Sequence, residues 1–388
     1  MTNQMDETNL QICSRCIYDA KTPGIKFDEN GICNYCHLIE QLESEYKTGT
    51  PEGERLFLNI IEQIKREGKG KKYDCVVGVS GGTDSSYMLY KAVEEWKLRP
   101  LAAHYDNTWN SAIATENIRK ITKALRVDLF TYVIDNKESD DIFRAFFKAS
   151  VPELDGCTDI ALAEVLYRAA GKNKIRYILE GHSFRTEGIS PLGIMYVDGK
   201  YIDVIHKKFG NSPMKTFPNM RLFTFLKWIA LKRIKKIRPL WYINYSKEEA
   251  RGVLQQKFGW KYYGGHHLEN RMTAMHHSYY FPNKVGIDQR NNSLSAAVRS
   301  GVLSREKALE LYQQPPFLET ELIEYFKKRL ELTDEEFNEI MKKPLRTFHD
   351  FKTYKKTFER MRPFFWLMYK MNLVPKSFYI KYTSKKEI

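Results

Sequence analysis

Apolar residues in the first half of the chain fall in short runs, each separated from the next by a longer stretch of helical spacing. Residues 74–79 (DCVVGV) form an apolar run of strand length, and residues 101–105, 129–134 and 177–179 read the same way. Between them, residues 84–96, 111–125 and 159–170 carry the pattern of helices, and residues 55–67 form an amphipathic helix ahead of the first strand. Strands that alternate with helices predict a parallel sheet joined by right-handed crossovers. Beyond about residue 245 the pattern is helical, with capping boxes expected at 246–249 (SKEE) and 333–336 (TDEE). Residues 222–237 (LFTFLKWIALKRIKKI) read as an amphipathic basic helix. Residues 364–369 (FFWLMY) are apolar almost all round and are expected to be buried. Cys75, inside a predicted strand, belongs to the core.

Composition narrows the class. The 388 residues are 43% hydrophobic and 28% charged, which supports a packed core and argues against wholesale disorder. Residues 1–11 are polar and acidic, unlike a secretory signal, and no run reaches the ~18–20 apolar residues needed to span a bilayer. A cytoplasmic protein with no transmembrane segment is expected. The formal charge is +14, which favours polyanionic partners such as ATP, a nucleotide-sugar, RNA or anionic lipid without choosing among them. Residues 200–238 alone hold eleven Lys and Arg against one acid, Asp203.

Four of the six cysteines form two pairs, Cys13-x2-Cys16 and Cys33-x2-Cys36, separated by sixteen residues. Each CxxC turn presents two thiolates to one ion, and two such turns close a tetrahedral site suited to zinc. Four protein ligands leave no open position, so the expected role is structural. His37 follows Cys36 as a bystander.

The string Ser80-Gly81-Gly82-Thr83-Asp84-Ser85-Ser86 follows the first predicted strand and opens a helix. The two glycines allow a tight turn and close approach to a phosphate. Free N–H groups at the helix start, together with the serine hydroxyls, cradle its oxygens. Asp84 is an acid where an anion should sit, so Mg²⁺ or a nearby Lys must offset it. No GK[ST] follows, so this is not a Walker A loop. Glu180, Gly181 and His182 end another predicted strand, the edge at which open parallel sheets bind ligands. His182 is a candidate for contact with phosphate or an activated oxygen, and Arg185 and Glu187 are candidate substrate contacts nearby. Residues 264–271 (GGHHLENR) combine flexible glycines with acid–base groups, and Arg271 suits a diphosphate. Here His266, His267 and Arg271 are candidate substrate contacts, with a surface turn as the alternative.

SGGTDSS resembles the signature of the PP-loop ATP pyrophosphatases. That resemblance implies a doubly wound five-stranded parallel sheet, cleavage of ATP between the α- and β-phosphates, and pyrophosphate held on the loop. It also implies adenosine near Asp106 at the end of the second strand. Taken with CSRC…FDENGICNYC, YDNTWNS (105–111), EGHSFRTEG (180–188), YVDGKYI (196–202), IRPL (237–240) and YYGGHHLENR (262–271), the chain is similar to the N-acetyl sugar amidotransferases of bacterial surface-polysaccharide synthesis. The resemblance, laid over the turn-rich joint at 46–53 and the change to a helical pattern near residue 245, makes 1–50 a zinc ribbon, 51–245 the ATP-binding domain and 246–388 a helical substrate or partner region. It implies ATP, Mg²⁺ and structural Zn²⁺, with Asp84 and His182 as catalytic groups and a nucleotide-sugar as substrate. The chain has no recognisable glutaminase motif, so ammonia is expected from a partner glutaminase, with a companion barrel-type cyclase-like subunit as a further partner. The rival reading is a tRNA-modifying thiolase or lysidine-type ligase. Beyond the metal pairs only Cys75 and Cys157 remain for sulfur transfer, which argues against thiolation and more weakly against tRNA amination, and no nucleic-acid partner is expected.

Overall fold

The computed structural model describes residues 10–189, 195–265 and 268–384. Helices α1 (Asn34–Tyr46) and α2 (Pro51–Gly68) lead into strand β1 (Cys75–Gly78). There follow α3 (Thr83–Tyr90), β2 (Pro100–Asp106), α4 (Ala112–Leu125), β3 (Leu129–Val133), α5 (Asn136–Ala149), α6 (Gly156–Lys172), β4 (Tyr177–Leu179), α7 (Gly199–Phe209), α8 (Leu222–Leu226) and β5 (Lys235–Ile237). The remainder is helical: α9 (Lys247–Phe258), α10 (Arg271–Met275), α11 (Arg290–Arg299), α12 (Arg305–Gln313), α13 (Leu322–Arg329), α14 (Asp334–Lys342), α15 (Lys355–Arg360), α16 (Arg362–Lys370) and α17 (Lys376–Thr383).

The strands form one parallel five-stranded sheet in the order β3-β2-β1-β4-β5. Side chains alternate across a strand, and here both faces are covered. Val76, Leu101, Ala103 and Ile178 pack against Leu166, Tyr167 and Ala170 of α6. Cys75, Val77, Ala102 and Leu179 pack on the other side with Phe57 and Ile61 of α2, Met88 of α3, Ile118 of α4 and Leu254 of α9. The alternating pattern predicts a parallel sheet, and its doubly wound five-stranded form is the one the resemblance implies. Strand order reverses between β1 and β4, and in open parallel sheets the crevice beyond the carboxyl ends at such a switch point is where ligands bind.

Two expectations from the pattern are corrected. Residues 222–237 are not one helix. α8 runs on as a π-helical turn to Leu231, Arg233 takes a left-handed φ of 51°, and Lys235–Ile237 becomes the edge strand β5 paired with β4. The lysines suit an edge because Lys235 lies over the Tyr177 ring and Lys236 over Tyr167, while the Lys236 ammonium reaches Glu180. In α16, Phe365 and Met368 are buried, but Trp366 and Leu367 are 49% and 48% exposed. The helix lies on the surface and buries a single face. The TDEE capping box is complete, and of the SKEE pair the Ser246 hydroxyl accepts from Glu249 N. Among the described residues, no helix is long and apolar enough to cross a membrane.

Candidate functional site

The segment joining β1 to α3 folds back on itself at the crevice. Ser80 N donates to Ser85 Oγ at 3.1 Å, the two hydroxyls lie 3.2 Å apart, and Gly82 N donates to Ser80 Oγ at 3.3 Å. The two glycines have different reasons to be glycine. Gly81 has φ +81°, a Cβ there would lie 2.3 Å from the Ala114 carbonyl oxygen of α4, and its own carbonyl accepts from Asn117 Nδ2 and Trp260 Nε1. Its role is to let the loop touch α4. At Gly82 a Cβ would face Glu269 Oε1 and Tyr263 Oη, each at 3.1 Å, across the mouth of the crevice. A phosphate would need this space.

Asp84, in the first turn of α3, accepts from the Tyr245 hydroxyl and lies 3.1 Å from Lys247 Nζ. Burial pushes its carboxyl up, while Lys247 and the tyrosine pull it back. Lys247 also lies 3.7 Å from Glu187 Oε1. Burial works against its charge, but Asp84 and Glu187 outweigh that and keep it protonated. Thr83 N donates to Tyr263 Oη at 3.3 Å.

The β4 side supplies a second ion-paired group. Glu180 bonds Lys236 at 2.6 Å and Arg238 at 3.2 Å. Burial would raise its pKa, yet the two cations hold it at about 2. Gly181 is pressed against α3, where a Cβ would lie 3.1 Å from the Asp84 carbonyl carbon. His182 Nδ1 accepts from Trp241 Nε1 at 3.1 Å. Since indole only donates, the ring proton sits on Nε2. Burial and the Arg238 charge keep the ring neutral, with a pKa lowered to about 3. This geometry makes His182 a hydrogen-bond donor and removes it as a general base near neutrality.

Four buried hydroxyls, Thr83 Oγ1, Ser86 Oγ, Ser183 Oγ and Thr186 Oγ1, have no hydrogen-bond partner among the described residues. Two belong to the first turn of α3 and two follow β4, the segments that border the crevice. An unmet buried polar group costs about 1–3 kcal/mol, and these four lie just beneath the surface of the two segments. The loop and the opposing Lys247 thus fit the phosphates of a nucleotide.

The other candidates are placed as follows. Asp106, at the end of β2, accepts from Thr108 N at 2.8 Å and Asn110 Nδ2 at 3.0 Å, shaping the loop that follows. Glu187 joins the Lys247 cluster. Arg185 is engaged with Glu43 of α1 and Asn244, at 3.3 and 3.2 Å. Arg271 lies over the Tyr325 ring of α13 and 3.8 Å from Glu319. His266 and His267 lie outside the described residues. His276, of the following histidine pair, is buried and bonded to the Pro152 carbonyl at 2.8 Å, a core position. Tyr245 and Lys247 were not anticipated, Tyr263 entered only within the 262–271 string, Lys236 only as a member of the basic stretch 200–238, and Arg238 only there and in the 237–240 string. Lys247 left one signal: it opens α9, where a cation opposes the helix dipole and needs a compensating reason to be there.

The four cysteines converge as expected. Their sulfurs all lie within 4.8 Å of one another, with separations of 3.9 Å (Cys13–Cys36), 3.7 Å (Cys16–Cys33) and 3.6 Å (Cys33–Cys36). Thiolates about 2.3 Å from a tetrahedral ion sit about 3.8 Å apart, so the set fits a single metal ion such as zinc. Cys33 N donates to Cys13 Sγ at 3.3 Å. The module is seated on α11 and α12. Tyr18 Oη donates to Asn292 at 2.6 Å, and Arg305 donates to the carbonyls of Cys13 and Cys16. Asn292 in turn donates to the Glu187 carbonyl at 2.9 Å, which links the metal module to the crevice wall.

Residues 269–363 match the model of the WbpG-like C-terminal domain, described as an LPS biosynthesis protein. An uncharacterized protein of Methanocaldococcus jannaschii, MJ1599, is 26% identical over 305 residues, which is 78% of this chain and 93% of that protein. Among solved structures, the U34-tRNA thiolase NcsA from Methanococcus maripaludis with its [4Fe-4S] cluster is 14% identical, covering 84% of this chain and 89% of its own, at a TM-score of 0.31. NMN synthetase from Francisella tularensis is 13% identical, covering 54% and 88%, at a TM-score of 0.26. Scores at this level carry no argument about activity.

Proposed function

We propose that the chain is an ATP-dependent amidotransferase. It adenylates the N-acetyl carbonyl oxygen of a nucleotide-linked sugar and exchanges that oxygen for ammonia, giving an acetamidino sugar for a lipopolysaccharide or related surface glycan. The observation that carries the ATP-dependent chemistry is the loop of Ser80 to Ser86 at the strand-order reversal, with Lys247 held against it by Asp84 and Glu187. The WbpG-like match over residues 269–363 favours a surface-polysaccharide substrate.

In this reading the β- and γ-phosphates rest on the loop N–H groups and the hydroxyls of Thr83, Ser85 and Ser86. The acetamide oxygen attacks the α-phosphorus, and the bond to pyrophosphate breaks. The product is a protonated O-adenylyl imidate. Ammonia adds to its central carbon, one proton of the added nitrogen passes to the departing AMP phosphate or to water, AMP leaves with the original oxygen, and the amidinium remains. Lys247 stabilises charge that develops on the phosphate oxygens, and a preorganised cation of this kind is worth about 10²–10³ in rate. His182, neutral with its proton on Nε2, donates a hydrogen bond and does not abstract a proton. Asp84 and Glu187 are the carboxylates that would hold Mg²⁺, which would bring charge neutralisation of the triphosphate. The four cysteines hold structural zinc. Asp106 is assigned to the adenosine end, and His266, His267 and Arg271 to the sugar nucleotide.

Ammonia in neutral water is mostly ammonium and not nucleophilic, so a partner glutaminase is assigned as its source, with a barrel-type subunit as companion. The test combines purified chain, ATP and a UDP-linked N-acetylated sugar. With concentrated ammonium salt at alkaline pH, AMP, pyrophosphate and the acetamidino sugar should form. With glutamine alone nothing should form until the partner is added. Turnover of tRNA with no reaction on such sugars would favour the tRNA-modifying reading instead.

A further inference from the structure

The helix at 222–231 has a side that the proposed reaction does not use. Its inner face is buried through Leu222, Phe225, Trp228 and Ile229. Its outer face carries Phe223 and Leu231, 83% and 79% exposed, the highest exposures of large apolar side chains among the described residues. Lys227 stands between them, about one turn from each, so the two apolar side chains project from one side over about 12 Å. A folded chain gains nothing by holding two large apolar groups in water, and such a pair marks a contact surface.

The chemistry of the contact is set by what lies beside this helix. A concavity of about 430 Å³ opens between it, β3 and α6, floored by Phe130, Tyr132 and Trp228. Lys172, Lys227 and Lys232 line it, with Lys172 over the Phe130 ring and Lys227 over the Trp228 ring. Arg168 is the fourth cation, and Glu164 is already committed to it and to the Trp228 indole. None of the three lysines, nor the exposed Arg233 next to them, has a carboxylate within ion-pair distance among the described residues. Protruding apolar side chains beside a cluster of cations that outnumbers its one nearby carboxylate, Glu164, form the pattern of a helix that lies in the plane of a bilayer surface. Anionic headgroups complement the lysines, and the acyl boundary takes Phe223 and Leu231.

We infer that this face docks the protein on an anionic membrane surface, with Phe223 and Leu231 inserted and a lipid phosphate held by Lys172, Lys227 and Lys232. The contact is peripheral and separate from the nucleotide crevice, and it does not depend on which reaction that crevice performs.

Co-sedimentation of the full chain with vesicles tests this, using phosphatidylcholine alone and phosphatidylcholine with about one-third phosphatidylglycerol. Binding is expected to the anionic vesicles only and should weaken as salt rises. The double variant F223S/L231S and the charge variant K227E/K232E should each lower it at least about tenfold. Both pairs are surface residues, so thermal unfolding and ATP binding should match the parent and establish that the variants are folded. Protein that ignores anionic vesicles, or variants that bind as well as the parent, would overturn the inference. So would saturation of the basic concavity by free UDP, measured by calorimetry, with no vesicle binding.

Discussion

Lys247 Nζ lies 3.1 Å from Asp84 Oδ2, joining the first residue of α9 to the first turn of α3 across 163 positions of sequence. The pair cancels two charges that would each be costly alone in the crevice. It also leaves an ammonium poised where a nucleotide phosphate would arrive. Lys247→Met should therefore lower the rate of pyrophosphate release about 10²–10³-fold, with a smaller loss of stability from the stranded Asp84 carboxylate. Lys247→Arg should restore part of the rate. An unchanged rate in Lys247→Met would remove the residue from the chemistry.

The two loop glycines should separate structure from binding. Gly81→Ala places a Cβ 2.3 Å from the Ala114 carbonyl at a φ of +81°, and it should lower the melting temperature markedly. Gly82→Val sets its side chain against Ser80 Oγ, Glu269 Oε1 and Tyr263 Oη, each 3.1 Å from a Cβ at that position. These are side-chain ends rather than backbone, so it should lower the melting temperature less than Gly81→Ala while abolishing ATP binding measured by calorimetry. Equal ATP affinity in the folded Gly82→Val protein would move the nucleotide away from the loop.

Much of this was legible because it is local. The loop string follows its strand directly, and the cysteine pairs carry their own spacing. What was not legible is set by distant partners. Lys235 and Lys236 read as helix because their charge hides a strand whose hydrogen bonds and ring contacts come from β4 and α6. Lys247 read as part of a helix start because Asp84 and Glu187 lie far away in sequence. Arg185 stood in a promising string, yet the fold delivers Glu43 and Asn244 to its guanidinium.

The metal module is predicted to be structural. Elemental analysis should find about one zinc per chain. Cys33→Ser should lower zinc content and melting temperature together, because metal binding is coupled to folding. Since Tyr18, Asn292 and Glu187 connect the module to the crevice wall, loss of zinc should also weaken ATP binding. A Cys33→Ser protein with parental stability would contradict this role.

A buried carboxyl away from the crevice gives a pH prediction. Glu153 is 1% exposed, accepts from Tyr196 N and Tyr201 Oη, and is raised by burial to about 7. The folded state therefore holds this proton more tightly than the unfolded chain does. The stabilisation is complete below about pH 4.5 and is lost as pH rises through about 7. Relative to Glu153→Gln, the parent should lose on the order of 3 kcal/mol of unfolding free energy across that window. Parallel stability profiles for the two proteins would show that Glu153 does not titrate in this way.

The central claim is that the acetyl oxygen of the sugar is the atom adenylated, and an isotope reports on that atom directly. The substrate is a UDP-linked sugar whose N-acetyl carbonyl carries ¹⁸O, turned over with ATP and ammonium, and the AMP is then weighed by mass spectrometry. The account predicts one ¹⁸O in the phosphate of AMP for each acetamidino sugar formed, with unlabelled pyrophosphate. AMP without the label, or ADP and phosphate as the nucleotide products, would contradict it.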